Sequence, residues 1–445
     1  MKTMTALALI LASSSAAYAD NLNNESFIQQ VGANNTATVS QKKGNNEQAT
    51  IQVGKFNGVL STQTGGIAGQ TNNSGNVQIG SDNTAQITQK NGNNNQATFQ
   101  VGHANGVTTT QVSNFATGTN NSGNIQVGEN SATTTQTASA PNSQFLGATE
   151  NNSFTAQFGS NTATVTQTGG RNTQGTVQAG TGNFGFTTQS DKSVVGANNS
   201  FSGQFGDGNF ATTNQKSADA SEFGGLVFNN GGSNTSSSLQ FGTDNTVTTN
   251  QNAVAGSAGP GAINTSATVQ AGYDNTATVT QGGQIFNNGV AADETNASFI
   301  GQFGAKNTAT VTQKNGGNAQ ATFQTGYENS ATTDQKIPAA GTGEGTNTSL
   351  TAQYGAKNQA TVAQSVANPL GGNNGSFISQ IGGSNVVNAT QTTGLQAMAG
   401  DNTQVAYQVG YGNSATVTQA TGANVANTSF TAQFGSNNRA VVVQK

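Results

Sequence analysis

Along this chain, small apolar and polar residues alternate with a period of two, in short runs that close on glutamine. Asn35-Thr-Ala37-Thr-Val39-Ser-Gln41 places Asn, Ala, Val and Gln on one side and Thr, Thr and Ser on the other. The same alternation returns at Asn275–Gln281 and Asn307–Gln313. A period of two predicts a strand. A second run precedes each of these, from Asn24 to Gln30 in the first instance, and a glycine two residues beyond that glutamine joins the two. The whole unit reads Asn-x5-Gln-x-Gly-x2-Asn-x5-Gln and recurs sixteen times, from Asn24, Gln30, Gly32, Asn35 and Gln41 to Asn427, Gln433, Gly435, Asn438 and Gln444. Each unit predicts strand, tight arc, strand. Gly32, Gly54, Gly80, Gly304 and Gly435 stand where a sharp reversal needs backbone angles that a β-carbon resists. Two arcs, Gln126 to Gln136 and Gln157 to Gln167, are one residue shorter.

A constellation repeated end to end is the signature of stacked units that cannot bury a core singly. The expected fold is all-β: a two-sheet β-solenoid of about sixteen strand-turn-strand rungs, uncapped, as a single repeat domain over 20–445. At a rung spacing of about 4.7 Å, an amide above an identical amide can donate to one neighbour and accept from the other. The expected ladder residues are Asn24, Gln30, Asn35 and Gln41 in the first rung and Gln52, Asn57 and Gln63 in the second. Gln78, Asn83 and Gln89 follow, with Gln302, Asn307 and Gln313 further along and Gln433, Asn438 and Gln444 in the last. Copies lie as little as 21 or 22 residues apart, as from Gln157 to Gln178 and Gln30 to Gln52. Extra residues fall only between a closing Gln and the next opening Asn, as in Thr137–Glu150 and Lys216–Ser233, so one edge of the stack carries every insertion.

The first strand of each unit has two rows with a claim on the interior. One is polar, as in Asn151, Ser153, Thr155 and Gln157; the other is apolar, with large and small residues trading places. Phe154/Ala156, Phe201/Gly203, Phe299/Gly301 and Phe430/Ala432 have the bulk first, whereas Ala49/Ile51 and Ala97/Phe99 have it second. Such compensation belongs to a surface that packs against something. Either it faces the second sheet, or it forms an outer stripe of Phe154, Phe158, Phe201, Phe205, Phe299, Phe303, Phe430 and Phe434. Analogy with the second strand favours the Gln/Asn row inside.

Composition then removes most chemistry. Among 445 residues there is no Cys, no Trp, one His and 7% charged side chains. No enzyme activity, cofactor or metal site is expected. His103 reads as a solvated turn residue, and Asp207, Asp244, Asp274 and Glu328 as turn acids alternating with Lys55, Lys306 and Lys357. A net charge of -4 offers no attraction to nucleic acid or to an anionic membrane. Lys2, the apolar run Ala6–Ala12 and Ala17-Tyr18-Ala19 predict a signal peptide over 1–19 and an exported chain. No transmembrane segment is expected.

The unit resembles the curlin repeat of curli subunits, bacterial functional amyloids of the extracellular matrix, whose motif is matched from Asn24 to Gln444. The resemblance implies secretion of an unfolded chain and its nucleated assembly into adhesive β-solenoid fibres of a biofilm matrix on the bacterial surface. It also implies inward Gln30, Asn35 and Gln41 with their counterparts, a nucleator subunit, and secretion chaperones or a pore as partners. The chain has more copies than family members usually carry, and its first repeat opens a few residues after Asp20 without their Gly-rich leader.

Bare strands near both ends, Asn24 at one and Arg439–Val443 at the other, predict that each end templates a further copy, head to tail. The alternative from another class is an ice-binding or monomeric adhesin solenoid. Its ice face would use the Thr rows Thr162, Thr164, Thr166 and Thr276, Thr278, Thr280, which are interrupted by Phe184, Phe186 and Asp334.

Overall fold

The computed structural model describes residues 24–445 except 66–69, 115–117, 140–148, 193–195, 219–231, 255–261, 285–294, 338–344, 367–371, 395–399 and 423–424. The expected signal peptide and the middles of the long insertions lie outside the described residues.

As the repeat predicts, the described chain is all-β, with thirty strands and no helix. Fourteen repeats each form two strands, Asn24–Ala33 and Thr36–Lys42 in the first. In the other two, Glu150–Gly169 and Asn172–Asp191 run through the arc as single strands. Sixteen rungs result. Each pairs with the next in parallel and with equivalent residues opposed: Asn24 with Asn46, Gln30 with Gln52, Gly32 with Gly54, and Gln41 with Gln63. The same register holds at the far end, at Gln408 with Gln433 and Gln419 with Gln444. First arms therefore build one parallel sheet and second arms another, so that each arm serves as the crossover that parallel pairing of the other requires. The short arc of the sixth rung is absorbed by one register shift between Ser160 and Thr162.

Because side chains alternate across a strand, every second residue points between the sheets. The polar row of the first arm is the inner one: Asn151, Ser153, Thr155 and Gln157 are buried, whereas Phe154 and Phe158 are exposed. Between the amide columns the interior is filled largely by small side chains. Ala and Val of the second arm meet an occasional Ile of the first, as in the cluster Val247, Ala277, Val279, Ile300, Ala309 and Val311.

Volume is balanced within some single rungs. Four residues before the first glutamine, most rungs carry Ser, but some carry Gln48, Gln96, Gln174 or Gln320. In those rungs the second arm holds Ser61, Thr109, Thr187 or Thr333, where other rungs hold Ile87, Val165, Val279 or Val311. In these four rungs a larger residue on one sheet is matched by a smaller one on the other, as close packing favours; Gln404 instead faces Val417, and some Ser rungs also carry a small residue, at Thr134, Thr213, Thr249 and Ala389.

Candidate functional site: amide ladders and two outer faces

Four columns of side-chain amides run the full length of the described stack. In the first arm, the Nε2 of each glutamine donates to the Oε1 of the glutamine one rung later, from Gln30 to Gln433, over 2.6–3.1 Å. In the second arm the same bond runs from Gln41 to Gln444 over 2.7–2.9 Å. Gln52, Gln63, Gln78, Gln89, Gln302 and Gln313 are fully buried members of these columns.

The asparagine columns point the other way. Each Nδ2 donates to the Oδ1 of the rung before it, from Asn427 back to Asn24. The column through Asn35, Asn57, Asn83, Asn307 and Asn438 does the same. Glutamine amides therefore donate toward the C-terminal end of the stack and asparagine amides toward the N-terminal end. Periodicity announces the columns but carries no signal for their direction, which depends on rotamers set by the arc and by the opposite sheet.

The second N–H of each column glutamine after Gln30 ties the sheets together. Gln52 donates to the Thr36 carbonyl at 3.0 Å and Gln78 to that of Gly58 at 3.1 Å. From the other arm, Gln41 reaches Glu25 at 2.8 Å and Gln63 reaches Glu47 at 2.9 Å. A buried amide costs little only when its hydrogens and oxygen are met, and here one group meets the rung before, the rung after and the facing sheet.

The arc joins these columns. Gly32, Gly54, Gly80, Gly304 and Gly435 have φ of 120°, 130°, 122°, 111° and 98°, in the region that β-carbons disfavour. Asn57 takes the Asn35 Oδ1 with both its backbone N–H and its Nδ2, and Nδ2 also reaches the Gly80 carbonyl at 3.0 Å.

Two further polar systems were not visible as columns in the sequence. Inside, Ser26, Ser74, Ser153, Ser298 and Ser376 donate to the Gln one rung on. In four of those rungs the Gln amide turns back onto a threonine two residues ahead, Thr50, Thr98, Thr176 or Thr322. Outside, Asn73, Asn95, Asn121 and Asn152 form a short exposed ladder of their own. The alternation of Ser with a Gln-x-Thr run was the available signal for the first.

The outer faces differ in kind. The first sheet presents the phenylalanine stripe: Phe154, Phe158, Phe201 and Phe303 are exposed, and Phe205 and Phe299 half-buried. Phe205 stacks on Phe241 with ring centroids 5.2 Å apart, and Phe299 lies 5.1 Å from Phe323. Phe430 and Phe434 belong to the last rung, and Phe434 is 66% exposed against 43% for Phe303, which has a rung on either side. The second sheet turns Thr162, Thr164, Thr166 and Thr276, Thr278, Thr280 outward, half-buried by their neighbours. That Thr surface is broken by Phe184, Phe186 and Asp334, and by Arg439, Val441 and Val443.

The arc edge carries one group of charges. His103 lies 3.3 Å from Asp82 and 3.5 Å from Glu129, Lys357 is 3.8 Å from Glu328, and Lys306 sits 5.8 Å from the Tyr327 ring centroid. Asp207 accepts the Thr181 hydroxyl at 2.6 Å and its backbone N–H at 3.1 Å. These two donors hold its carboxyl below the ordinary range. Among the described residues, no group of three or more His, Cys, Asp or Glu could hold a metal ion, and no helix is long and apolar enough to cross a membrane.

No protein-family model matches this chain, and no curated protein matches it. The β-solenoid itself is consistent with a repetitive structural or adhesin-like protein.

Proposed function

We propose that the chain is a structural subunit of an extracellular, curli-like functional amyloid, and not a catalyst. It is exported by its N-terminal segment and assembles head to tail into fibres of the bacterial surface and biofilm matrix, with a nucleator and secretion components as partners.

The observation that carries this reading is the sense of the four ladders. At the last rung, Gln433 and Gln444 bring donors, and Asn427 and Asn438 acceptors, that meet no further described rung; at the first, Gln30 and Gln41 bring acceptors and Asn24 a donor. A second copy set with its first rung on the last rung of another extends every column with donor facing acceptor. Setting like end on like end opposes acceptor to acceptor in the glutamine columns at the first rung, or donor to donor at the last. Strand edges at the two ends add backbone pairing to the same contact, and a contact between unlike surfaces propagates without closing.

The test is seeded growth of the chain lacking residues 1–19. Amyloid-dye kinetics should show a lag that sonicated fibres abolish, and fibre diffraction a meridional spacing of about 4.7 Å. Protein that stays monomeric at high concentration and ignores seeds overturns the reading.

A further inference from the structure

We infer that the outer face of the first sheet is a pairing surface on which two copies of this solenoid lie face to face. This goes beyond end-to-end stacking and does not depend on it.

Three outward columns make up the face, lying three and one residues before the first-arm glutamine and one residue after it. Across sixteen rungs these columns hold no charged residue, and apart from two tyrosines the polar side chains are Gln29, Ser237, Thr325 and Ser379. The outward columns of the second sheet instead carry Lys42, Lys90, Lys216, Lys314, Lys336 and Asp334. Charge is also excluded from the centre of the first sheet but not from its margins. Glu47 and Lys55 flank Ala49, Ile51 and Val53 on one strand. An apolar middle with a polar rim is the anatomy of a protein interface.

Where phenylalanines adjoin glycines the face is also level. A β-carbon added to Gly203 would come 2.7 Å from Leu239 Cδ2 and 3.3 Å from Phe205 Cε2; one added to Gly301 would come 3.3 Å from both Phe299 Cε1 and Phe323 Cδ1. Leu239 and the rings of adjoining residues thus roof these two glycines, and the trade of large for small removes relief there; elsewhere a β-carbon on Gly75 would meet nothing within 4 Å, and a shallow groove lies open around Ala97 and Gly123. Strand N–H and C=O groups are spent within the sheet, so nothing polar beneath this surface must be desolvated when it is covered.

Size and period point to a second copy as the occupant. Sixteen rungs at about 4.7 Å and four residue steps of about 3.4 Å give roughly 75 by 14 Å, or about 1,000 Å². Monomers rarely expose apolar patches beyond about 300–600 Å², while a stable pair needs about 800 Å² on each partner. Another solenoid of this chain has the same row spacing, so rows of side chains stay in register over the whole length. A partner without that period would match only locally.

The test is mass per unit length of fibres by scanning transmission electron microscopy, with sedimentation of unassembled protein alongside. Two solenoids per cross-section are expected for the wild type. Phe201→Asp with Phe303→Asp should halve the mass per length while leaving fibre growth and the meridional spacing intact; Thr164→Asp with Thr278→Asp, on the other sheet, should leave it doubled. One solenoid per cross-section in the wild type overturns the pairing, as does a doubled value that survives the charged phenylalanine variant. If no fibres form, the stacking reading fails by itself, and sedimentation as a dimer that the phenylalanine variant converts to monomer still supports pairing. A wild-type monomer overturns it, whether or not that monomer binds lipid vesicles or polysaccharide.

Discussion

The carbonyl oxygen of Gly54 stands 1.8 Å from where a β-carbon on Gly32 would lie, and the same oxygen accepts the Asn35 side-chain amide at 3.1 Å. Glycine is therefore required twice at this position: for a φ of 120°, and because the next rung occupies the space a side chain needs. The relation repeats up the arc, as at Gly80 with the Gly102 carbonyl at 1.9 Å and Gly410 with that of Gly435, also at 1.9 Å. At Gly435, in the last rung, the nearest atom to an added β-carbon is Asn438 Nδ2 at 3.8 Å.

Gly80→Ala should destabilise the folded chain by more than about 3 kcal/mol, since it combines a disfavoured backbone region with a backbone contact that only rung displacement can relieve. Gly435→Ala should cost only the conformational part, about 1–3 kcal/mol, yet stop growth at the C-terminal end by standing where the next copy's Gly32 carbonyl belongs. Thermal melts separate the two variants in stability. Seeded growth, watched end by end, shows whether Gly435→Ala caps the fibre; unchanged elongation from both ends refutes the cap.

Gln78→Leu removes the bonds at 2.8 Å from Gln52 and to Gln100, and the one to Gly58. It leaves buried amide groups unmet above and below, at about 1–3 kcal/mol each, so a loss of about 3–5 kcal/mol and a lengthened assembly lag are expected. Lys42→Ala and Lys43→Ala, at exposed positions, should stay within about 0.5 kcal/mol of wild type. Chemical denaturation and dye kinetics on the three variants check this.

Gln404 breaks the Gln-x-Thr rule: its Nε2 is buried without a partner, and Ala406 stands where the other four Gln rungs have threonine. Val417 likewise replaces the Ser or Thr found on the second arm of those rungs. Ala406→Thr combined with Val417→Thr should restore the amide's partner at balanced volume and raise stability by about 1 kcal/mol. Ala406→Val with Val417→Thr has the bulk but no acceptor, and should show no such gain in a denaturant melt.

The Thr181 hydroxyl and N–H favour the charged form of Asp207, whose folded pKa is depressed. A depressed carboxylate contributes stability above its unfolded pKa and loses it as pH falls through the folded value. Carbon-13 titration should place the Asp207 midpoint below that of an ordinary aspartate, and Thr181→Val should move it upward. An unmoved midpoint rules out the hydroxyl as the main cause.

Much of the fold was legible because the strand period is short and the unit is long. Alternation in Asn35–Gln41 identified the inner face of the second arm without any tertiary information. The first arm was harder, because Phe154 and Phe158 make an outer row more hydrophobic than the inner Ser153 and Thr155, and burial by hydrophobicity alone picks the wrong side. That inner row is acceptable only because stacked hydroxyls and amides answer one another from rung to rung. His103 looked merely solvated, since its neighbours Asp82 and Glu129 are 21 and 26 residues away in the chain and adjoin it only in the stack.

The sequence by itself determined that identical units stack in register, because a fixed spacing of Asn, Gln and Gly repeated sixteen times leaves each residue above its own kind. Tertiary structure alone decided that glutamine and asparagine columns donate in opposite directions, that glycine is forced by the next rung's carbonyl as well as by its own backbone, and that neighbouring side chains roof Gly203 and Gly301 in the phenylalanine stripe. Each of these depends on distances between rungs and between sheets, and a one-dimensional pattern specifies which residues are neighbours without specifying how their groups are aimed.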